Sequence, residues 1–178
     1  PDFDLNLMKP DQNLYSLTAK IINSLKPILE EFTPNYVFIH GDTTTAMASA
    51  ISSFYSGAKV CHVEAGLRTN NKLSPFPEEI NRQIAGRICD YHFAPTKTSK
   101  DNLLKENISK SSILVTGNTV IDALFESKKR VKLYSSPAIK NINSNISKGQ
   151  EIILVTAHRR ENHGLGFERI CKALKKIA

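Results

Sequence analysis

Short apolar runs recur along the chain, and longer segments with apolar residues every three or four positions separate them. The runs are typical of strands buried on both faces, and the longer segments are typical of amphipathic helices. The predicted strands span 36–40, 58–64, 91–95, 112–117 and 151–157. The predicted helices span 11–32, 43–56, 77–88, 97–107, 118–131 and 167 onward. This alternation predicts an α/β fold, a parallel sheet with helices on both faces.

Two segments depart from the alternation. Pro27 lies inside the first predicted helix, where proline kinks or breaks a helix because it has no N–H to donate. Residues 135–150 are rich in Ser, Asn, Lys, Pro and Gly, a composition that predicts a loop. We therefore expect an interruption at Pro27 and an irregular connection before the last predicted strand.

Three of the predicted strands run into an acid or an imidazole, namely Asp42, Glu64 and His158. The carboxyl ends of parallel strands face one crevice, where open α/β sheets bind their ligands. We therefore expect these side chains to meet at one site although they lie far apart in the sequence. Carboxylates beside an imidazole are suited to moving protons at an otherwise unreactive carbon.

The acids and the arginines near them also have structural interpretations. Asp42, or a threonine after it, suits the N-cap of the following helix. Glu64 can pair with Arg68 four residues later, and Glu78 suits the first turn of a helix because of the helix dipole. Arg82 can bind a phosphate or hold the carboxylate of Glu78, which lies four residues earlier on the same face.

The segment that begins at His158 adds two guanidinium groups, Arg159 and Arg160, to the imidazole. It lies between a predicted strand and the start of a helix, where backbone N–H groups point outwards. Such a combination is suited to binding an anion such as a diphosphate.

Possible metal ligands lie two residues apart in two places, His40 with Asp42 and His62 with Glu64. Neither place has the paired-histidine helix motif or the cysteine cluster of a zinc site. We therefore expect no metal site.

The charge and the cysteines narrow the class of protein. The 178 residues carry a formal net charge of +7, but the basic clusters lack the interleaved aromatic residues that stack on bases, so no nucleic-acid partner is expected. A small anionic substrate accounts for the excess of positive charge equally well. No apolar run is long enough to span a membrane. We interpret the three scattered cysteines as small buried apolar groups in a cytoplasmic protein.

Five motifs, taken in order, resemble those of the non-hydrolysing UDP-N-acetylglucosamine 2-epimerases. They are HGDTTT (40–45), HVEAGLRT (62–69), PFPEEINR (75–82), TGNTVIDAL (116–124) and TAHRREN (156–162). The resemblance implies two Rossmann-like domains in a GT-B-type arrangement. Residues 1–116 would be most of the first domain and 117–178 the beginning of the second. The chain would then be a segment that lacks an N-terminal phosphate-binding loop and most of the second domain.

The resemblance also implies a reaction. UDP-N-acetylglucosamine and UDP-N-acetylmannosamine would be interconverted by elimination of UDP to 2-acetamidoglucal and re-addition, with no metal or other cofactor. A cytoplasmic homodimer in cell-surface polysaccharide biosynthesis is implied. The implied catalytic residues are Asp42, Glu64, Glu78 and His158. The implied substrate-binding residues are Arg68, Arg82, Arg159 and Arg160.

Three other functions fit parts of the same pattern. A GT-B glycosyltransferase would transfer the sugar to an acceptor, and without an acceptor it would form no epimer. A regulatory module that binds a nucleotide sugar would not need several proton-handling groups. A metallohydrolase would lose activity on chelation.

We predict that these 178 residues alone have no epimerase activity, because both missing stretches are expected to contribute to binding UDP. The measurement is turnover of UDP-N-acetylglucosamine in an assay coupled to oxidation of UDP-N-acetylmannosamine. Detectable turnover by the isolated segment would refute the prediction.

Overall fold

The computed structural model of the chain describes residues 2–131, 134–147, 149, 151–156 and 163–177. The chain divides into two compact units, Pro1–Thr119 and Val120–Ala178. The predicted boundary, with domains of 1–116 and 117–178, stays a prediction.

Strands and helices alternate through the first unit. Its elements are α1 (Leu14–Phe32), β1 (Tyr36–His40), α2 (Thr44–Tyr55), β2 (Lys59–Val63), α3 (Glu78–Ile88), β3 (Tyr91–Ala94), α4 (Lys97–Lys105), a 3-10 turn (Lys110–Ser112) and β4 (Ile113–Val115). The next helix, α5 (Thr119–Val131), begins at the last residue of this unit. Most predicted bounds agree with these within a few residues, because the hydrophobic period is a local signal.

The four strands form one parallel sheet in the order β1-β2-β3-β4. The predicted α/β class and parallel sheet are therefore confirmed. Sequential strands are neighbours throughout, and right-handed crossovers then place the connecting helices on one face. One buried cluster joins β1 and β2 to α2 and α3, and a second joins β4 and the end of β3 to α4. The helices that pack on this sheet within the described residues therefore lie on one face, whereas we predicted helices on both.

The opposite face of the sheet carries aromatic side chains. Phe38 stacks on Phe93 with 5.9 Å between ring centroids, and Tyr36 lies 6.2 Å from Tyr91. Phe38 and Tyr36 are exposed, whereas Ile39, the neighbour of Phe38 along β1, is buried under the helices. The alternation along β1 therefore separates a helix-covered face from an aromatic one.

The helix starts follow from capping side chains. Asn13 accepts a hydrogen bond from the backbone N–H of Ser16 at the start of α1, and Thr43 accepts one from Ala46 at the start of α2. Helix α1 continues through Pro27, so the prediction of a break at this position is wrong. Leu17 and Ile21 of α1 pack on Ala48 of α2, and Leu29 beyond the proline is also buried, so tertiary packing supports the helix on both sides of Pro27.

The second unit has little buried surface among its described residues. It contains most of α5, then α6 (Pro137–Ser144) and α7 (Leu165–Ile177), and none of these helices has a buried residue among those described. Helix α6 shows that the loop prediction for 135–150 is wrong in part. Its start carries a Ser136 N-cap and a proline in the first turn, which favour a helix despite the polar composition.

The strand predicted for 151–157 is wrong for its described part, because residues 151–156 form no strand. A strand needs a neighbour to satisfy its backbone N–H and C=O groups, and the described residues of this unit offer none. The apolar side chains there remain exposed, Leu154 to 87%. Cys171 on α7 is also exposed, so the interpretation of all three cysteines as buried is correct for Cys61 and Cys89 alone.

Among the described residues, no helix combines the length and apolar character needed to cross a membrane.

Gly66 marks a close approach between the loop after β2 and α4. Its φ is +86°, and a Cβ placed there would lie 2.2 Å from the backbone oxygen of Ser99. The side chain of Asn102 donates a hydrogen bond to the Gly66 carbonyl at 3.0 Å, which keeps the two segments together. Any side chain at this position must therefore push α4 away.

We predict that Gly66→Ala destabilises the full-length protein by about 3 kcal/mol or more, because strain at positive φ adds to overpacking against backbone. Gly57→Ala is the matched control, since Gly57 has a φ of +80° but no atom within 4 Å of the position that a Cβ would take. It should cost about 1 kcal/mol from backbone strain alone. Urea unfolding measures both, and equal losses would contradict the close approach.

Candidate active site

Asp42 lies in the turn between β1 and α2. Gly41, with a φ of +76°, turns the chain away from the strand and donates its N–H to the carbonyl of Val63 at 3.0 Å. Thr43 takes the N-cap position of α2, so the structural interpretation of this turn applies to the threonine and not to Asp42. The partly exposed Asp42 carboxylate instead accepts a hydrogen bond from Arg82 at 2.5 Å.

Glu64 follows β2 directly and lies at the same end of the sheet as Asp42, because β1 and β2 are parallel neighbours. Its φ of +70° is uncommon for a residue other than glycine and costs about 1–3 kcal/mol. Its partly exposed carboxylate lies 3.5 Å from Nε2 of His40, and a Cβ on Gly41 would lie 3.7 Å from Oε2. A strained backbone therefore presents this carboxylate to the turn that carries Asp42.

Glu78 is the first residue of α3, where the two preceding prolines stiffen the approach. Its Oε2 is buried and has no hydrogen-bond partner within the part of the chain that the structure describes. Leaving a buried acceptor unpaired costs about 1–3 kcal/mol, so such atoms are uncommon away from functional sites. Glu78 therefore has an oxygen in place for a bond that the described residues do not make.

Arg82 lies one turn further along α3 and is 10% exposed at its side chain. It pairs with Asp42 and, through Nη1 at 3.4 Å, with Glu79. The pair with Glu78 that the helical spacing suggested is not among these contacts. Asn81 adds a hydrogen bond from its side chain to the backbone oxygen of Asp42 at 2.9 Å. The first turns of α3 therefore fix both the backbone and the carboxylate of Asp42.

Arg68 takes a structural position in this geometry. Its guanidinium makes a two-point ion pair with Glu106, with Nε–Oε1 and Nη2–Oε2 distances of 2.6 and 2.8 Å. The side chain is 2% exposed, which leaves a ligand no access. We expected Arg68 to bind substrate or to pair with Glu64, and it pairs with a residue at the end of α4 instead. A partner 38 positions away has no local signal in the sequence.

The other predicted site residues, His158, Arg159 and Arg160, lie outside the described residues. Within the described residues, no group of three or more His, Cys, Asp or Glu side chains is arranged to hold a metal ion.

Comparison with known proteins identifies the family. A family model described as UDP-N-acetylglucosamine 2-epimerase matches residues 1–178. The UDP-N-acetylglucosamine 2-epimerase of Campylobacter jejuni is 50% identical over 183 residues, which cover 100% of this chain and 48% of that protein. The Escherichia coli (strain K12) protein of the same name is 50% identical over 181 residues, with the same coverage. The crystal structure of UDP-GlcNAc 2-epimerase from Neisseria meningitidis bound to UDP-GlcNAc matches with a TM-score of 0.90 and 47% identity, over 99% of this chain and 48% of that chain.

The chain belongs to the UDP-N-acetylglucosamine 2-epimerase family. The family predicted from the five motifs is thus confirmed. The chain spans about half the length of the curated relatives it matches.

Three residues of this epimerase-family chain contribute to the site region although sequence reasoning gave them no part in it. Glu79 and Asn81 belong to the motif around Glu78, but their spacing alone does not show which of them touches Asp42. His62 was considered only as a metal ligand, and it lies buried under the turn, with Nε2 2.8 Å from the carbonyl oxygen of Gly41. A signal existed for His62, because an imidazole inside an apolar strand needs a polar partner.

His62 pairs in register with His92 on β3, and both side chains are 1% exposed. Burial lowers the pKa of His62, and the hydrogen bond to Gly41 offsets part of the shift. Burial, followed by the neighbouring His62, lowers the pKa of His92 to about 4. Two neutral imidazoles therefore lie side by side beneath the turn that carries Asp42.

We predict that acidification destabilises the full-length protein through His92. The folded pKa of about 4 lies below the ordinary value of 6.5, so the unfolded chain binds the proton first. The stability contribution is complete above pH 6.5 and is lost as the pH falls to about 4, by about 3 kcal/mol at most. Urea unfolding at several pH values measures the slope. His92→Leu should make the slope shallower in this window, and an unchanged slope would contradict the assignment.

Proposed function

We propose that the full-length protein, of which this chain corresponds to about half, is a non-hydrolysing UDP-N-acetylglucosamine 2-epimerase. Membership of the family and the placement of Asp42 and Glu64 at the same end of neighbouring parallel strands carry the proposal. The relative from Neisseria meningitidis was crystallised with UDP-GlcNAc, which supports the same substrate here. A cytoplasmic homodimer is part of the proposal, as the family resemblance implies.

The reaction explains why several carboxylates are needed. The proton on C2 of the sugar is not acidic while the anomeric C–O bond is intact. As that bond breaks and UDP leaves, positive charge develops at C1 and the C2 proton becomes removable. The electrons of the C2–H bond then form the double bond of 2-acetamidoglucal. Re-addition of UDP with protonation from the other face inverts C2, so proton-handling groups must lie on both faces of the ring.

The three acids have different surroundings, which suits different roles. Asp42 is held by Arg82, and Glu64 lies beside His40 on a strained backbone. Glu78 has a buried oxygen that makes no bond to the described residues. We infer that Glu78, which has an acceptor that the described residues leave unpaired, takes a role different from those of Asp42 and Glu64.

The leaving diphosphate needs positive charge and N–H donors. His158, Arg159 and Arg160 have the chemistry for this task, and they remain part of the proposal. Arg82 can act indirectly, by holding Asp42. Arg68 is left out of the binding set because its guanidinium is already paired and buried.

The test is to incubate the full-length protein with UDP-N-acetylglucosamine in deuterated water and to look for deuterium at C2. An epimerase must exchange this proton, whereas a glycosyltransferase without acceptor or a pure binding module must not. We expect uptake together with formation of UDP-N-acetylmannosamine. Absence of deuterium at C2 in a folded protein that binds UDP would refute the proposal.

We predict that Glu78→Gln lowers the rate of C2 exchange by about 10²-fold or more, because loss of a proton-transferring group typically costs about 10²–10⁴-fold. Glu31→Gln makes the same chemical change on the exposed surface of α1 and should leave the rate unchanged. Calorimetric titration with UDP checks that binding persists. Equal rates for the two variants would remove Glu78 from the reaction.

A further inference from the structure

Glu79 is a fully buried carboxylate next to the predicted catalytic Glu78. It is 0% exposed. Its Oε2 accepts the backbone N–H of Thr69 at 3.0 Å, and its Oε1 accepts that of Asn70 at 3.1 Å and the side-chain amide of Gln83 at 2.9 Å. Burial alone would raise the pKa of Glu79, but these hydrogen bonds lower it below its usual value. The group is therefore an ionised carboxylate at neutral pH inside the unit.

The charge of Glu79 is balanced by Arg82, which also holds Asp42. The guanidinium reaches Glu79 through Nη1 at 3.4 Å and Asp42 through Nη2 at 2.5 Å. A guanidinium is a rigid planar fork, so fixing one nitrogen directs the other. Glu79 thereby supplies a second point of attachment for the guanidinium that meets the carboxylate of Asp42.

Glu79 also holds the loop that follows Glu64. Thr69 and Asn70, whose N–H groups it accepts, lie five and six residues after Glu64 in the connection to α3. The Glu79 carboxylate thus contacts both the loop that follows Glu64 and the arginine that holds Asp42. A simple helix-start acid would need neither contact, because the helix dipole alone favours it there.

We propose that Glu79 is a positioning residue of the epimerase, acting through Arg82 to orient Asp42 while it ties the loop after β2 to the start of α3. The inference rests on the proposed function for its catalytic consequence. The coupling between Glu79 and Asp42 is independent of that function, and it can be measured without turnover.

The activity-independent test is a titration of the Asp42 carboxyl group by ¹³C NMR in the full-length protein. Glu79→Gln removes a negative charge and leaves Arg82 with one carboxylate, so the Asp42 titration should move to lower pH. Among the described residues, Arg82 pairs with Asp42 and also reaches Glu79, and the carboxylate of Glu64 faces the same turn from the end of β2. Glu79→Asp keeps the charge and should restore a midpoint close to that of the wild type.

The kinetic test uses the same variants. Glu79→Gln should lower kcat by about 100-fold through misplacement of Asp42, while KM stays close to the wild-type value. Gln83→Ala is the matched control, since it removes one donor from the same carboxylate but leaves the contact with Arg82. It should change neither kcat nor the Asp42 titration. If Glu79→Gln does not fold, Glu79→Asp decides, because it keeps the charge but withdraws the carboxylate from Arg82 by one methylene group. Its kcat should fall although the Asp42 midpoint stays, and an unchanged kcat would overturn the positioning role.

The outcomes separate the two proposals. An unmoved Asp42 titration in Glu79→Gln, or equal effects of Glu79→Gln and Gln83→Ala, would overturn the positioning role. A moved titration with an unchanged kcat would overturn it as well. A wild-type protein without C2 exchange would refute the epimerase, while the titration would still decide whether Glu79 controls Asp42.

Discussion

The site depends on the buried guanidinium of Arg82, which lies between the carboxylates of Asp42 and Glu79. A buried charge is tolerated when it is paired, and removal of one partner from such a group costs about 3–5 kcal/mol. The three side chains must therefore be arranged together. Since they belong to the β1–α2 turn and to α3, this requirement joins two segments that the chain order keeps 40 residues apart.

Two adjacent glutamates show how environment separates like residues. On a helix, consecutive side chains point about 100° apart, so Glu78 and Glu79 cannot face the same partners. Glu79 faces the loop after β2 and the arginine three positions later, and its oxygens accept hydrogen bonds from Thr69, Asn70 and Gln83. Glu78 retains a buried oxygen without a partner among the described residues. The two neighbouring carboxylates therefore differ, since both oxygens of Glu79 are bonded to the surrounding framework.

The sequence predicted the features that local physics determines. Strand and helix positions in the first unit follow from hydrophobic period and caps, and the parallel order of the strands brings Asp42 and Glu64 to one end of the sheet. It could not predict which arginine meets which acid. Arg68 had an apparent partner four residues before it, yet it pairs with Glu106, because α4 packs over the loop after β2 and brings that carboxylate within 2.6 Å. Such pairings are decided by tertiary contacts, which no short-range spacing encodes.

The segment 151–156 also shows that a local apolar pattern does not determine tertiary pairing. Its apolar pattern resembles that of β1, but β1 has β2 beside it, whereas the described residues of the second unit offer no strand to pair with. An apolar run favours burial, but it forms a strand only when a neighbouring strand also pairs with its backbone N–H and C=O groups. The strands that lead to Asp42 and Glu64 meet both conditions, since they pair with each other and α3 packs on them within one unit. The geometry of the two acids is therefore set by the sheet, the helix and the Arg82 bridge of the first unit.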